Sequence, residues 1–220
     1  MTPVTAFQSL SAGHPANQSV SVRTVVGEAI GAYIDDIAGL WVTVLGEWPY
    51  LYDGHAEHGA DLPLPHLQAC VQSWRSVAVL AFDGDTLVGA ATGLPLADAP
   101  GLVQRAFAVV GLDATRVFLC AESVLLPGYR GRGIGHRFFD ERESHARLLG
   151  GFDLTAFCTV ERAAGDPRRP PFGRGCEPFW HKRGYRPREG LQLTLGWNEV
   201  DAGQVSHRLN GWLRPLERSR

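Results

Sequence analysis

The sequence predicts an α/β fold, one domain built on a central mixed β-sheet flanked by helices. Three observations carry this. Segments with strand-like and helix-like apolar spacing alternate along the chain; an Asp-Gly turn at Asp83-Gly84-Asp85 joins two apolar runs; and an apolar run ending at Leu126 passes through a glycine-rich loop into a segment of helical spacing. At 220 residues, 45% of them hydrophobic, the chain is long enough to bury one substantial core, and no shift of composition marks a linker.

Taken in order, residues 19–26 read as a first strand, and Ile30, Ile34, Ile37, Leu40 and Val44 mark the apolar face of a long helix. A loop holding Glu47, Trp48, Pro49, Tyr50, Leu51, Tyr52, Asp53 and Gly54 leads to a shorter helix over residues 65–74. Residues 76–82 and 86–92 form the two strands of the hairpin, and residues 101–111 an inserted helix. Residues 117–126 read as a buried strand, and Ile134, Phe138, Glu141 or Arg142, His145 and Leu148 as the helix after it. A strand over residues 151–158, a helix ending before Gly184 and a last strand around residues 191–197 complete the plan. Residues 1–18, rich in Ser, Ala, Gln and Pro, read as a flexible leader, leaving 19–216 as the domain. Trp197, Trp212 and Leu213 are expected to cover core or a homodimer surface, and the Arg-rich stretch 214–220 to be a solubilising tail.

Composition excludes several function classes. A net charge of −2 offers no general attraction for nucleic acid, so no DNA or RNA partner is expected. No apolar run approaches the roughly 18 residues of a membrane span, so no membrane partner is expected either. Cys70, Cys120, Cys158 and Cys176 lie far apart without a Cys-x-x-Cys pair, which argues against a zinc ribbon or a disulfide framework and for a reducing cytoplasm. His55, His58 and His66 near Asp53 match no tight zinc spacing, and no metal is expected.

The chemistry concentrates at Val124-Leu125-Leu126-Pro127-Gly128-Tyr129-Arg130-Gly131-Arg132-Gly133-Ile134-Gly135. Glycines at a helix N-terminus let a phosphate approach unpaired backbone N–H groups and the positive end of the helix dipole. Arg130 and Arg132 add countercharge. His136 and Arg137 follow Gly135 where a Walker A loop needs Lys and Ser or Thr, and His136 stands where a dinucleotide fingerprint needs its third glycine. Arg-x-x-Gly-x-Gly, met by Arg130, Gly133 and Gly135 behind an apolar strand, resembles the acyl-CoA loop of the GNAT superfamily of N-acetyltransferases. A second segment, Phe179-Trp180-His181-Lys182-Arg183-Gly184-Tyr185, is similar to the aromatic segment that follows in that family.

The resemblance implies a GNAT-like, mostly antiparallel sheet and acetyl-CoA as co-substrate, with acetyl moved to a small-molecule primary amine by direct attack in a ternary complex. It places Val124, Leu125 and Leu126 along the pantetheine, residues Arg130, Gly131, Arg132, Gly133, Ile134 and Gly135 on the pyrophosphate, and Phe179 and Lys182 beside the cofactor. Many members carry an acidic base just before the pantetheine-binding segment, which here is Glu122. A carboxylate half-buried there would have its pKa raised toward neutrality by desolvation; the other reading is an outward glutamate on an exposed edge. The family's thiolate-protonating tyrosine falls at Trp180, whose indole is no practical acid, leaving Tyr129, Tyr185, Ser123, Cys158 or water. Tyr50, Tyr52 and Glu161 are the candidate acceptor contacts, with Glu47 and Asp53 suited to a cation and Arg162, Arg168, Arg169 and Arg174 to an anion. A module that binds CoA without transferring acetyl is the competing class, and a nucleotide-binding protein a third.

Overall fold

Two residues, Gly84 and Asp85, close the hairpin that seeds the sheet, with Asp83 opposite Thr86 and Gly84 at φ 59°. The structure, a computed structural model, describes residues 20–54, 64–163, 165–171 and 175–217; the expected leader lies outside these. The hairpin strands are β2 (Val77–Asp83) and β3 (Thr86–Pro95). β2 is buried on both faces: Ala78, Leu80 and Phe82 enter one apolar cluster and Val77, Val79 and Ala81 the other. A sheet with apolar side chains on both faces needs a layer of helices on each, and that is the architecture.

β1 (Ser21–Val26), β4 (Val117–Leu125), β5 (Leu154–Val160), β6 (Arg186–Glu199) and β7 (Gly203–Pro215) complete one seven-stranded sheet in the order β1-β2-β3-β4-β5-β7-β6. Only the β4–β5 pair is parallel. The mixed, mostly antiparallel sheet expected from the sequence is therefore present. One face is covered by α1 (Ile34–Leu45), α2 (Leu64–Gln72) and α3 (Gly101–Val109), which contribute Ile37, Trp41, Leu67, Cys70 and Phe107 to the first cluster. The other is covered by α4 (Ile134–Leu149), with α5 (Glu177–Lys182) packed beside it through Phe179 and Trp180. Among the described residues no helix is long and apolar enough to cross a membrane.

Three expectations need correction. The single long first helix is a 3₁₀ segment, Gly27–Tyr33, running into α1, because glycines at 27 and 31 weaken an α-helical start. The last strand is not residues 191–197 alone: β6 runs from Arg186 to Glu199, with a register break between Pro187 and Gln192 that Gly190 turns at φ 78°. The expected tail begins inside a strand. Pro215 ends β7, which lies between β5 and β6, and the Arg214 guanidinium donates to the buried Glu143 carboxylate at 2.6 Å.

β7 packs so tightly that a Cβ placed on Gly211 would stand 2.2 Å from Leu191 Cγ and Cδ2, and Leu191 is fully buried. Gly211→Ala should therefore cost about 1–3 kcal/mol through overpacking. Urea unfolding checks this; an unchanged midpoint would mean that β7 is not held against β6 as described.

Candidate active site

The glycine loop folds as its composition dictates. Gly131 and Gly133 sit at φ 78° and 82°, a left-handed conformation costly for other residues, and Gly133 is the N-cap of α4. A Cβ at either would meet nothing within 4 Å, so backbone conformation and not crowding calls for glycine there, and the space before the loop is open. His136 and Arg137 donate their amides back to the Gly133 carbonyl at 3.0 and 3.3 Å. The amides ahead of them are the unpaired donors of a 16-residue helix. Ile134 anchors this end in the core, and Phe179 Cζ lies 3.7 Å from a Cβ built on Gly135, so α5 packs directly over the loop. Lys182 is exposed on α5.

The arginines divide. Arg132 is exposed and lies 5.2 Å over the Tyr129 ring. Arg130 turns back along the strand, donating to the Leu125 carbonyl at 3.0 Å and to Glu47 at 2.8 Å, and so ties the glycine loop to the loop after α1.

Upstream of the glycines, β4 pairs with β5 only at Val117–Leu154, Phe118–Thr155 and Leu119–Ala156, although both strands continue. Beyond Leu119 the edge of β4 facing β5 is therefore free of ladder bonds, which is what an extended arm such as pantetheine requires. Val124 is buried in the core and Leu125 and Leu126 are half-buried along this stretch.

A bulge sets the direction of Glu122. Cys120 pairs with Gly93 and Ser123 with Ala91, so Ala121 and Glu122 both oppose Thr92. Val117 and Leu119 face the cluster under α1 and α2, while Phe118 and Cys120 face α4. Strict alternation would send Glu122 toward α4; the extra residue reverses the parity after Ala121, so Val124 joins Ala121 on the α1/α2 side. The fully buried Arg142 of α4 caps the bulge, its Nη1 donating to the carbonyls of Thr92 at 3.0 Å and Glu122 at 3.4 Å.

Glu122 thus meets His66 of α2, Oε2 to Nε2 at 3.1 Å, and accepts from Thr92 Oγ1 at 3.4 Å, with 29% of its side chain exposed. Burial alone would favour neutral His66, but the Glu122 carboxylate and Cys70, 3.5 Å away, outweigh it and bring the imidazole up to about 9. The sequence singled out Glu122 but treated His66 only as one of three loop histidines; His55 and His58 lie outside the described residues.

The acceptor-side candidates separate by depth. Tyr50 is half-buried, and burial holds its phenol above the ordinary tyrosine range, helped by the charges of Glu122, Cys158 and Cys176, so it faces the same space as Glu122. Tyr52 is packed with Val160, Leu193, Trp197 and Leu209. Glu161 is exposed at the end of β5, 3.8 Å from Arg208. Arg162 is spoken for: it donates to the carbonyls of Pro49 at 2.6 Å and Tyr50 at 2.9 Å and to the buried Glu199 at 2.9 Å, which clamps the loop. Arg168 also pairs with Glu199, and Arg174 lies outside the described residues.

Of the proton donors considered for the thiolate, Tyr185 is fully buried, 2.9 Å from Thr155 and 3.2 Å from Glu143, and Tyr129 donates to Asp83 at 2.7 Å. Both hydroxyls are already hydrogen-bonded within the protein. Trp180 is wedged between Phe157 and Trp212, with ring centroids at 5.0 and 5.2 Å. Cys158 is half-buried on β5, its thiol pushed up to about 12 by burial and by Glu122, so it stays protonated. Among the described residues no group of three or more His, Cys, Asp or Glu side chains is placed to hold a metal ion.

No protein-family model matches the sequence, and no curated protein matches it. Solved structures do match in three dimensions. A GNAT-family acetyltransferase from Staphylococcus aureus is similar at a TM-score of 0.55 and 13% identity, over 90% of this chain and 100% of that one. A Salmonella typhimurium protein assigned as an acetyltransferase, solved with its cofactor acetyl-CoA, gives 0.54 and 12%, over 92% and 97%. NAA60 of Arabidopsis thaliana, in complex with a bisubstrate analogue, gives 0.54 and 10%, over 90% and 100%. At these identities the likeness is one of fold.

The raised pKa of His66 links stability to pH. Because the folded value lies above the ordinary 6.5, the stabilisation is complete below about pH 6.5 and is lost as pH rises through about 9. Denaturant unfolding should show a decline of about 2 kcal/mol across that window, smaller in Glu122→Gln; the value allows for the partial exposure of Glu122. An identical slope in the two proteins would exclude the pairing.

Proposed function

We propose that this chain, which has the fold of the GNAT acetyltransferases, is an acetyl-CoA-dependent N-acetyltransferase acting on a primary amine of a small molecule. The observation that carries this reading is that the ladder-free stretch of β4 holds half-buried Glu122 and leads along the chain to the glycine-rich N-terminus of α4. An extended-chain edge followed by a helix N-terminus suits a pantetheine arm ending in a pyrophosphate. The likeness in fold to a protein assigned as an acetyltransferase and solved with acetyl-CoA supports the same choice.

Acetyl-CoA supplies the activated acyl group. In this reading the backbone of residues 120–125 orients the pantetheine, and the amides around Gly133 and Gly135 with the Arg132 guanidinium take the phosphates. A backbone N–H of β4 aimed at the thioester oxygen would lower the barrier by roughly 3 kcal/mol. Glu122 receives the amine's proton, since only a neutral amine can attack. Tyr50 offers an aromatic wall on the acceptor side, which suits a cationic amine.

Calorimetric titration of acetyl-CoA, with ATP as control, tests the binding half; thiol release across a panel of an amino acid, an amino sugar, a polyamine and a short peptide tests the transfer half. Acetyl-CoA binding with amine-dependent release is expected. Binding without release from any amine would favour a CoA-binding module, and preferential ATP binding would overturn both readings. Gly133→Val, which forces a β-branched residue into the left-handed region and its side chain before the amides, should weaken acetyl-CoA binding at least about tenfold. Glu122→Gln should bind acetyl-CoA within about twofold of wild type yet lose about 10²–10⁴ in turnover.

A further inference from the structure

Building on the transferase reading, we propose that His66 is the proton reservoir of Glu122: the proton leaving the amine passes to the Glu122 carboxylate and comes to rest on His66 Nε2, the two side chains acting as one base. His66 does not touch substrate in this scheme; it acts through Glu122.

The geometry is that of a relay. Glu122 leaves 29% of its side chain exposed, while its Oε2 lies 3.1 Å from Nε2 of the buried His66. Thr92 Oγ1 stands 3.4 Å from both Oε2 and Nε2, and Cys70 Sγ, one helical turn along α2, lies 3.5 Å from Nε2. The groups around the pair come from every packed element: Cys70 from α2, Thr92 from β3, Tyr50 from the loop after α1, Cys158 from β5, and Arg142 from α4 on the Thr92 and Glu122 carbonyls. Tyr50 and Cys158 are held protonated by burial, so neither adds a fixed negative charge.

Chemistry supplies the reason for such a pair. An unperturbed glutamate and an alkylammonium differ by about six pH units, so a lone carboxylate takes the proton with an equilibrium constant of about 10⁻⁶. An imidazole that titrates at about 9 narrows the gap to roughly one unit. At neutral pH the pair holds one proton as imidazolium beside carboxylate. Loss of that proton to solvent leaves the pair with one negative charge, able to take a proton from the bound ammonium. The freed amine lone pair forms the N–C bond to the acetyl carbon while the C–S bond breaks, and the amine's second proton leaves on the thiolate as CoA thiol.

His66→Gln separates reservoir from mere positioning, because a glutamine amide can still donate to Glu122 but cannot titrate. In the intact wild-type chain the His66 imidazole Cε1–H resonance should titrate near pH 9, and its midpoint should fall by more than one unit in Glu122→Gln. With the most active amine of the panel above, kcat/KM of wild type should rise with pH through about 9, and His66→Gln should lose that limb and at least about tenfold in rate at pH 8 while binding acetyl-CoA normally. A wild-type midpoint at or below 6.5 would overturn the proposal without need of any variant. Thiol release with the same limb in His66→Gln would overturn it while leaving the transferase intact; no release from any amine would overturn both.

Discussion

Three rungs of parallel pairing hold β4 to β5, and then the strands part although each continues. The site follows from that parting. Had the ladder run on, the edge beyond Leu119 would be closed and no extended ligand could lie between the strands. The bulge opposite Thr92 falls just where the pairing ends, and a bulge bends its strand and increases its twist. Arg142 secures the distortion from α4, the helix whose N-terminus carries the glycine loop, so the aim of Glu122 and the position of that loop are tied to one element.

A second constraint is buried charge. Glu199 is almost completely buried and is met by Arg162 and Arg168, at 2.9 and 2.5 Å. A carboxylate taken out of water stays ionised only if cations and hydrogen bonds replace its hydration. Through Arg162, which also holds the Pro49 and Tyr50 carbonyls, and through Trp197, which donates to the Tyr50 carbonyl at 3.0 Å, this cluster fixes the loop on the acceptor side. Glu143 plays the same part on the other face, joined to Arg183 and Arg214 at 3.1 and 2.6 Å. Arg162 and Arg168, which looked free to bind an anion, are both engaged by Glu199.

What could be read in the sequence was what is encoded locally. The Asp83-Gly84-Asp85 turn, the glycine loop, and the apolar spacing of β4 and α4 depend on neighbours in the chain. β7 was hidden because one of its two partners, β5, lies far away in sequence and its polar residues, Ser206, His207, Arg208 and Asn210, mask an alternation clear only once β5 and β6 are beside it. Glu122 stood out as the acid in an apolar run, but its direction depends on a bulge, and no local signal counts residues across two strands. His66 reaches it only because α2 packs on that face.

The placement of β7 also dictates an order of assembly. β6 comes first along the chain, yet its sheet partner is β7, and β7 lies between it and β5. Until residues 203–215 have emerged from the ribosome, β5 presents an open edge and β6 has no place to dock. Such edges invite pairing with other chains while they wait, and chaperones guard nascent chains in that state. The half that carries the glycine loop, from the hairpin through α4, needs none of β6 or β7 to form its ladder, so it can take shape during synthesis while the far side of the sheet closes last.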